Sequence, residues 1–323
     1  MAATPKWLKR FGLGVLLLVV VGIVYQKLGE RHDAKAFSMP GQLVDVGHHR
    51  LHIWCTGQGS PTILMLAGSG TPSVSSYALQ AELTKTSRVC SYDRAGLGWS
   101  DLPKHPMDLP QTVADLQTLL QRSGEKEPFV LVPESFGGLV ALMLATRAPA
   151  QVAGIVAVDS SEPESWHRLS GSMVASSKMR DYLWQVGWRV GVIRLLLDSQ
   201  APSWVSNMSP KIRGQFAAVW SRPMPNYANE WIDAYQQTAL ADFPKSTAGL
   251  LGNKPLIVIS QGRRSDFLNE EFEQSWPQAQ EILTKLSTHS EHIIARDNGH
   301  PIAQENPRLV ADAVAKMVAE LRR

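Results

Sequence analysis

The stretch Phe129-Val130-Leu131-Val132-Pro133-Glu134-Ser135-Phe136-Gly137-Gly138 decides how this chain is read. A short apolar run, the pattern of a buried strand, stops at Pro133-Glu134. One serine follows at a sharp turn, and an Ala/Leu-rich helical pattern begins at once. This is the layout of a nucleophile elbow. The turn holds a serine hydroxyl clear of the sheet, and the next residue's N–H points at the same spot from a helix N-terminus. A serine is a weak nucleophile at its ordinary pKa, so the layout calls for a base and for a group that orients the base. A serine at a strand–helix junction also commonly serves only as a helix cap. Gly137-Gly138 behind Ser135, and a suitably placed His300 downstream, favour the nucleophile.

Outward from the elbow, strand patterns recur on both sides. Residues 42–46 and 51–55 alternate around a turn at Gly47-His48-His49-Arg50. Thr62-Ile63-Leu64-Met65-Leu66 is a continuous apolar run, which suits a strand covered on both faces. Arg88-Val89-Cys90-Ser91-Tyr92, Gly154-Ile155-Val156-Ala157-Val158-Asp159, Pro255-Leu256-Ile257-Val258-Ile259-Ser260 and His292-Ile293-Ile294-Ala295 read as further strands. Helical spacing appears at Val113, Leu116, Leu119 and Leu120, and again at Leu309, Ala313, Val314, Met317, Val318 and Leu321. Strands alternating with helices predict an α/β fold with a mostly parallel sheet. Residues 161–250 break the rhythm. They hold six of the ten tryptophans and read as helices, with an apolar stripe at Val186, Val190, Ile193, Leu196 and Leu197. We read them as a helical lid inserted after the sixth strand. Its aromatic side chains line an apolar pocket or simply pack on one another.

The N-terminus has another character. Lys6, Lys9 and Arg10 precede residues 11–25, which carry no charge and are rich in Leu and Val. Extended to Leu28, the segment is roughly 27 Å of helix, against about 30 Å for a bilayer core. Trp7 and Tyr25 fall near the two interfaces. A cleaved signal peptide and a buried soluble helix are the rival readings. No small-x-small cleavage site follows the run directly, which favours an uncleaved signal-anchor. The expected organisation is a cytoplasmic stretch at 1–10, a transmembrane helix at 11–28, a linker at 29–41, the first half of the core at 42–160, the lid at 161–250 and the second half of the core at 251–323. The charges ahead of the span would leave the body of the protein outside the cytoplasm, in a periplasmic or other extracytoplasmic space. A net charge of +3 over 323 residues is too small to argue for nucleic acid. No metal-ligand spacing, Walker loop or dinucleotide fingerprint occurs, so no cofactor or metal is implied.

Four signatures, in order, give the chain a family resemblance from about residue 42 to its end. They are Leu66-Ala67-Gly68-Ser69-Gly70, Tyr92-Asp93-Arg94-Ala95-Gly96-Leu97-Gly98-Trp99-Ser100, Ser135-Phe136-Gly137-Gly138 and Asn298-Gly299-His300-Pro301. With them the chain resembles the α/β-hydrolase superfamily, and within it bacterial, membrane-anchored, lidded serine hydrolases. The resemblance implies an eight-stranded sheet flanked by helices, with the second strand antiparallel. It departs from the family pattern at Pro133, where a glycine is usual two positions before the nucleophile.

The resemblance also implies roles. Ser135 is the nucleophile and His300 the general base, with His292 the fallback. The family usually places its carboxylate where Asp266 stands, after the strand ending at Ser260; Asp159, at the end of the sixth strand, is the alternative. Asp297 reads as a surface residue. Backbone N–H groups of Ser69 and Phe136 would form the oxyanion hole. Asp93 and Arg94 read as loop-tying residues rather than catalytic ones. The family strand order puts Cys55 and Cys90 on neighbouring strands, which implies a disulfide and an oxidising compartment. The function implied is hydrolysis of an uncharged, apolar ester through an acyl-enzyme. A non-catalytic, membrane-tethered ligand-binding protein stands as the alternative, as does a thioesterase, peptidase or perhydrolase with the same triad. Oligomeric state and the identity of the small-molecule ester are not legible.

Overall fold

A computed structural model describes residues 5–104, 107–166, 182–199, 203–206, 208–222, 240–244, 246–264 and 270–323. Eight strands form one sheet: β1 (Gln42–Asp45), β2 (Arg50–Thr56), β3 (Thr62–Leu66), β4 (Val89–Tyr92), β5 (Phe129–Pro133), β6 (Val152–Val158), β7 (Leu256–Gln261) and β8 (Ser290–Ala295). Their order is β1-β2-β4-β3-β5-β6-β7-β8. β2 runs antiparallel to both its neighbours, and every other pairing is parallel. Strand order reverses at β3, which has β4 on one side and β5 on the other. In such sheets ligands bind beyond the carboxyl ends of the strands at the reversal. Here those ends carry Ala67, Gly68 and Ser69 after β3, and Glu134 and Ser135 after β5.

Side-chain alternation fills both faces. Ile63, Met65, Val130, Val132, Val156 and Val158 point to one side and pack with Leu79 and Leu83 of α2 (Tyr77–Leu83) and with Val310, Val314 and Met317. Leu64, Leu66 and Leu131 point to the other and meet Val113, Leu116 and Leu139. From Ile63 to Leu66 and from Phe129 to Pro133 the central strands carry no polar side chain, because helices cover both faces. α3 (Leu109–Arg122) begins where Asp108 accepts a hydrogen bond from the Gln111 N–H at 2.7 Å. α4 (Gly137–Arg147) leaves the elbow directly.

Cys55 and Cys90 face each other in the β2–β4 register and are disulfide-bonded. The sequence separation of 35 gives a closed loop worth about 3–4 kcal/mol in the chain-entropy account.

The chain divides into two compact units, one of Met1–Ser38 with Met179–Met224 and the other of Met39–Lys178 with Pro225–Arg323. In the first, α1 (Lys6–Ala36) is long and apolar enough to cross a membrane. It continues through Ala36, well into the stretch read from sequence as a linker. Nothing in residues 29–36 breaks a helix, and the Phe37 N–H closes the last turn on the Asp33 carbonyl at 2.8 Å. The helix ends at Phe37, whose backbone is extended (φ −126°, ψ 90°), three residues ahead of Pro40. α5 (Val192–Ser199) and α6 (Pro210–Trp220) belong to the same unit as α1. The second unit closes with α7 (Glu270–Thr284) and α8 (Pro307–Leu321), the latter capped by Asn306 on the Leu309 N–H at 3.2 Å.

Candidate active site

Ser135 occupies the left-handed region of backbone space, with φ of 50°. An L-residue pays about 1–3 kcal/mol for such a conformation and keeps it only where the surroundings enforce it. The enforcement is visible. The Glu134 N–H reaches the Leu66 carbonyl at 2.9 Å, the Ser135 N–H reaches Val158 at 3.3 Å, and the Ser161 N–H returns to the Ser135 carbonyl at 2.8 Å. The elbow is thus held by both neighbouring strands. Behind it, a Cβ on Gly137 would collide with the Leu66 carbonyl oxygen, and one on Gly138 with that of Ser161. Both obstacles are backbone, so only glycine lets α4 start this close to the sheet.

Pro133, the departure from the family pattern, causes no break. β5 pairs with β6 through Leu131 and next through the Glu134–Val158 bridge, so the proline falls in a gap of the ladder. Its carbonyl accepts the Ser160 hydroxyl at 2.8 Å.

Asp159 follows β6 on the strand next to the elbow. It also has a positive φ, 41°, and is fully buried. Its Oδ1 accepts the Gln261 N–H at 2.9 Å, and its Oδ2 lies 2.5 Å from Nδ1 of His300. The His300 ring meets Trp276 edge-on, with centroids 5.4 Å apart. A carboxylate fixed on one oxygen by backbone and on the other by an imidazole sets the ring's orientation and tautomer. Asp266 lies outside the described residues. The other sequence candidates sit elsewhere: His292 is on β8 with Nε2 2.8 Å from the Ser260 hydroxyl, and Asp297 is exposed.

The loop after β3 is held by Arg94, a residue read from sequence as structural. Its guanidinium donates to the carbonyls of Ala67 at 2.6 Å and Gly68 at 2.5 Å. The Thr71 N–H adds a second bond to Gly68, at 3.2 Å. In a planar trans peptide the Ser69 N–H points opposite the Gly68 carbonyl, so fixing that carbonyl also fixes the direction of the Ser69 donor. A Cβ on Gly68 would lie 3.3 Å from the Ser135 Cβ, which puts this loop against the elbow. Phe136 is the N-cap of α4, and its ring lies 5.2 Å from the Arg94 guanidinium carbon.

Glu134 was not singled out from sequence. It is buried, and its Oε2 accepts from Gln304 at 3.1 Å. Burial pushes its carboxyl above the usual carboxylate range, while the Gln304 hydrogen bond and the His300 charge pull the other way. The only hint available in the sequence is its place beside the serine.

Comparison with known proteins bears on the family. The model of the alpha/beta hydrolase family matches residues 63–313. The uncharacterised protein YbdG of Bacillus subtilis is 28% identical over 161 residues, 49% of this chain and 50% of that protein. The match therefore spans half the length of that relative. The 2-hydroxymuconate semialdehyde hydrolase of Pseudomonas sp. is 26% identical over 230 residues, 66% of this chain and 76% of the other. Among solved structures, a thermophilic esterase from Thermogutta terrifontis superposes with a TM-score of 0.65 at 20% identity, over 88% of this chain and all of that one. The sheet order, the strained elbow and the family match converge: this chain belongs to the alpha/beta hydrolase family.

Proposed function

We propose that the protein is a serine hydrolase that cleaves an uncharged carboxylic ester with an apolar acyl group. Ser135 attacks the ester carbonyl, and His300 takes its proton. Asp159, rather than Asp266, orients the imidazole and stabilises its charged form. The backbone N–H groups of Ser69 and Phe136 receive the oxyanion, at a loop aimed by Arg94 and at the start of α4. His300 then protonates the departing alcohol. Water, deprotonated by the same histidine, releases the acid and restores Ser135. The tryptophan-rich insertion supports an apolar rather than a charged substrate. α1 anchors the protein in a membrane, and the Cys55–Cys90 disulfide supports an extracytoplasmic position for the sheet domain.

The observation that carries this reading is the 2.5 Å contact between Asp159 and His300, made on the strand beside the strained Ser135. The test is a fluorophosphonate probe with the adduct mapped by mass spectrometry. Labelling at Ser135 is expected, lost in both Ser135→Ala and His300→Ala, with turnover of a p-nitrophenyl ester falling about 10⁶-fold. Intact protein that takes up no probe would refute the hydrolase reading.

A further inference from the structure

We propose that the helical segment at residues 182–189 and α5 lie in the surface of the same bilayer that α1 crosses. Their exposed apolar side chains would insert among the lipid acyl chains. The inference rests on the reading of α1 as a membrane anchor and goes beyond it.

The first observation is depth. The turn at Val190-Gly191 lies against α1 at the end of its apolar run. A Cβ on Gly22 would collide with the Val190 carbonyl oxygen, and one on Gly191 would lie 2.8 Å from Cδ1 of Tyr25. Gly22 stands three positions before Tyr25, about 5 Å along the helix axis. The turn therefore meets α1 where the span gives way to the headgroup region. Beyond it the contact turns polar and buried. Gln26 Nε2 donates to the Ser221 carbonyl at 2.8 Å, and Arg194 pairs with Asp33 at 2.8 Å with both side chains almost covered.

The second observation is what faces outward. On α5, Ile193 and Arg194 are buried, while Val192, Leu195 and Leu196 are 45%, 61% and 42% exposed. On the preceding segment Tyr182, Leu183 and Val186 are 67%, 62% and 42% exposed. A run of exposed large apolar residues of this extent is unusual on a water-facing surface and marks an interaction site. Here it adjoins α1, whose own residues 11–21 and 23–25 are exposed and uncharged. Arg189, next to the turn in sequence, is exposed where lipid phosphates would meet it. An amphipathic helix with such a face lies in the interface with its apolar side about 5–10 Å into the headgroup–acyl boundary. The bilayer is the occupant that continuity with α1 selects.

The experiment uses the full chain in nanodiscs that contain a phospholipid with a diazirine on its acyl chain. After photolysis, adducts are mapped by mass spectrometry. Adducts are expected within residues 11–25 and also on Tyr182, Leu183, Leu195 or Leu196. Adducts confined to α1 would overturn the inference and leave the anchor standing. Adducts in neither region would remove the anchor and the inference together, while the Ser135 probe still reports separately on the hydrolase. Cross-links between protein copies at Leu195 and Leu196, in place of lipid adducts, would assign the face to a second chain and overturn it. In the variant Leu195→Glu/Leu196→Glu, labelling of residues 182–196 is expected to fall at least fivefold while labelling of α1 and turnover of a water-soluble ester stay unchanged. Undiminished labelling in that variant would also overturn it.

Discussion

His52 and His300 each present Nδ1 to a buried aspartate, at 2.8 Å from Asp93 and 2.5 Å from Asp159. The pairs are alike in chemistry and unlike in setting. His52 lies in the middle of a strand with its side chain fully covered. Its Nε2 faces the Pro40 carbonyl at 2.6 Å, so both ring nitrogens are spent on acceptors. Asp93 is equally committed: the N–H groups of Ser73 and Trp99 reach it at 2.6 and 3.1 Å. That pair ties the segment before β1, the strand β2 and two loops into one knot. His300 follows β8 in a loop, and its side chain keeps 10% of its surface exposed. Its aspartate ends the strand beside the elbow. A histidine–aspartate pair is therefore no signature of catalysis by itself. What distinguishes the two is where the aspartate stands: Asp93 is also held by the Ser73 and Trp99 N–H groups in a knot of loops, whereas Asp159 ends the strand beside the strained Ser135.

This contrast is open to attack by mutation. The largest effect is expected for Asp159→Asn, which keeps the shape but changes the hydrogen bonding of the His300 ring. Turnover should fall about 10⁴-fold with the unfolding midpoint little moved, while Asp266→Asn stays near wild type. Steady-state kinetics on the two variants decide between the carboxylates, and the reverse result would move the role to Asp266. His52→Ala should act the other way. It removes one of the three groups that satisfy buried Asp93, at a cost of about 1–3 kcal/mol. Urea unfolding should show that loss, and the folded fraction should still label at Ser135. If labelling vanished with stability intact, the division between the two pairs would fail.

The smallest effect concerns Glu134. Its folded pKa is raised, so above the unfolded value of about 4.5 the native state holds more protons than the unfolded one. Stability should then fall as pH rises toward the folded pKa, by up to about 1.4 kcal/mol per unit. Glu134→Gln should flatten that slope in unfolding curves taken from pH 4 to 8. An unchanged slope would mean that another group carries it.

The elbow was legible because its chemistry is local. A strand ending, a serine and two glycines are adjacent in the chain, and the collisions at Gly137 and Gly138 explain why those residues stand there. The sheet and the disulfide followed from the family resemblance, and the alternating faces of β3 and β5 match the strand reading residue by residue. The acid was harder. Asp159 and Asp266 each follow a strand, and sequence does not say which strand end meets the loop carrying His300. The role of His52 was hidden for a similar reason, because its partners are Asp93 and Pro40 on other segments. Arg94 was read as tying a loop, but not that the loop is Ala67-Gly68, 26 residues or more away. The reach of α1 was also missed, because hydropathy reports where a lipid-soluble run ends and not where the helix ends.

That extended helix bears on how the protein can be handled. Trimming the chain after Leu28 to obtain a detergent-free enzyme would delete Gln26 and keep Asp33 only on a severed stub. Arg194, which pairs with both, would then be left to find new partners in a nearly closed space. A soluble version is better sought by replacing outward-facing residues of the apolar run than by cutting the helix away.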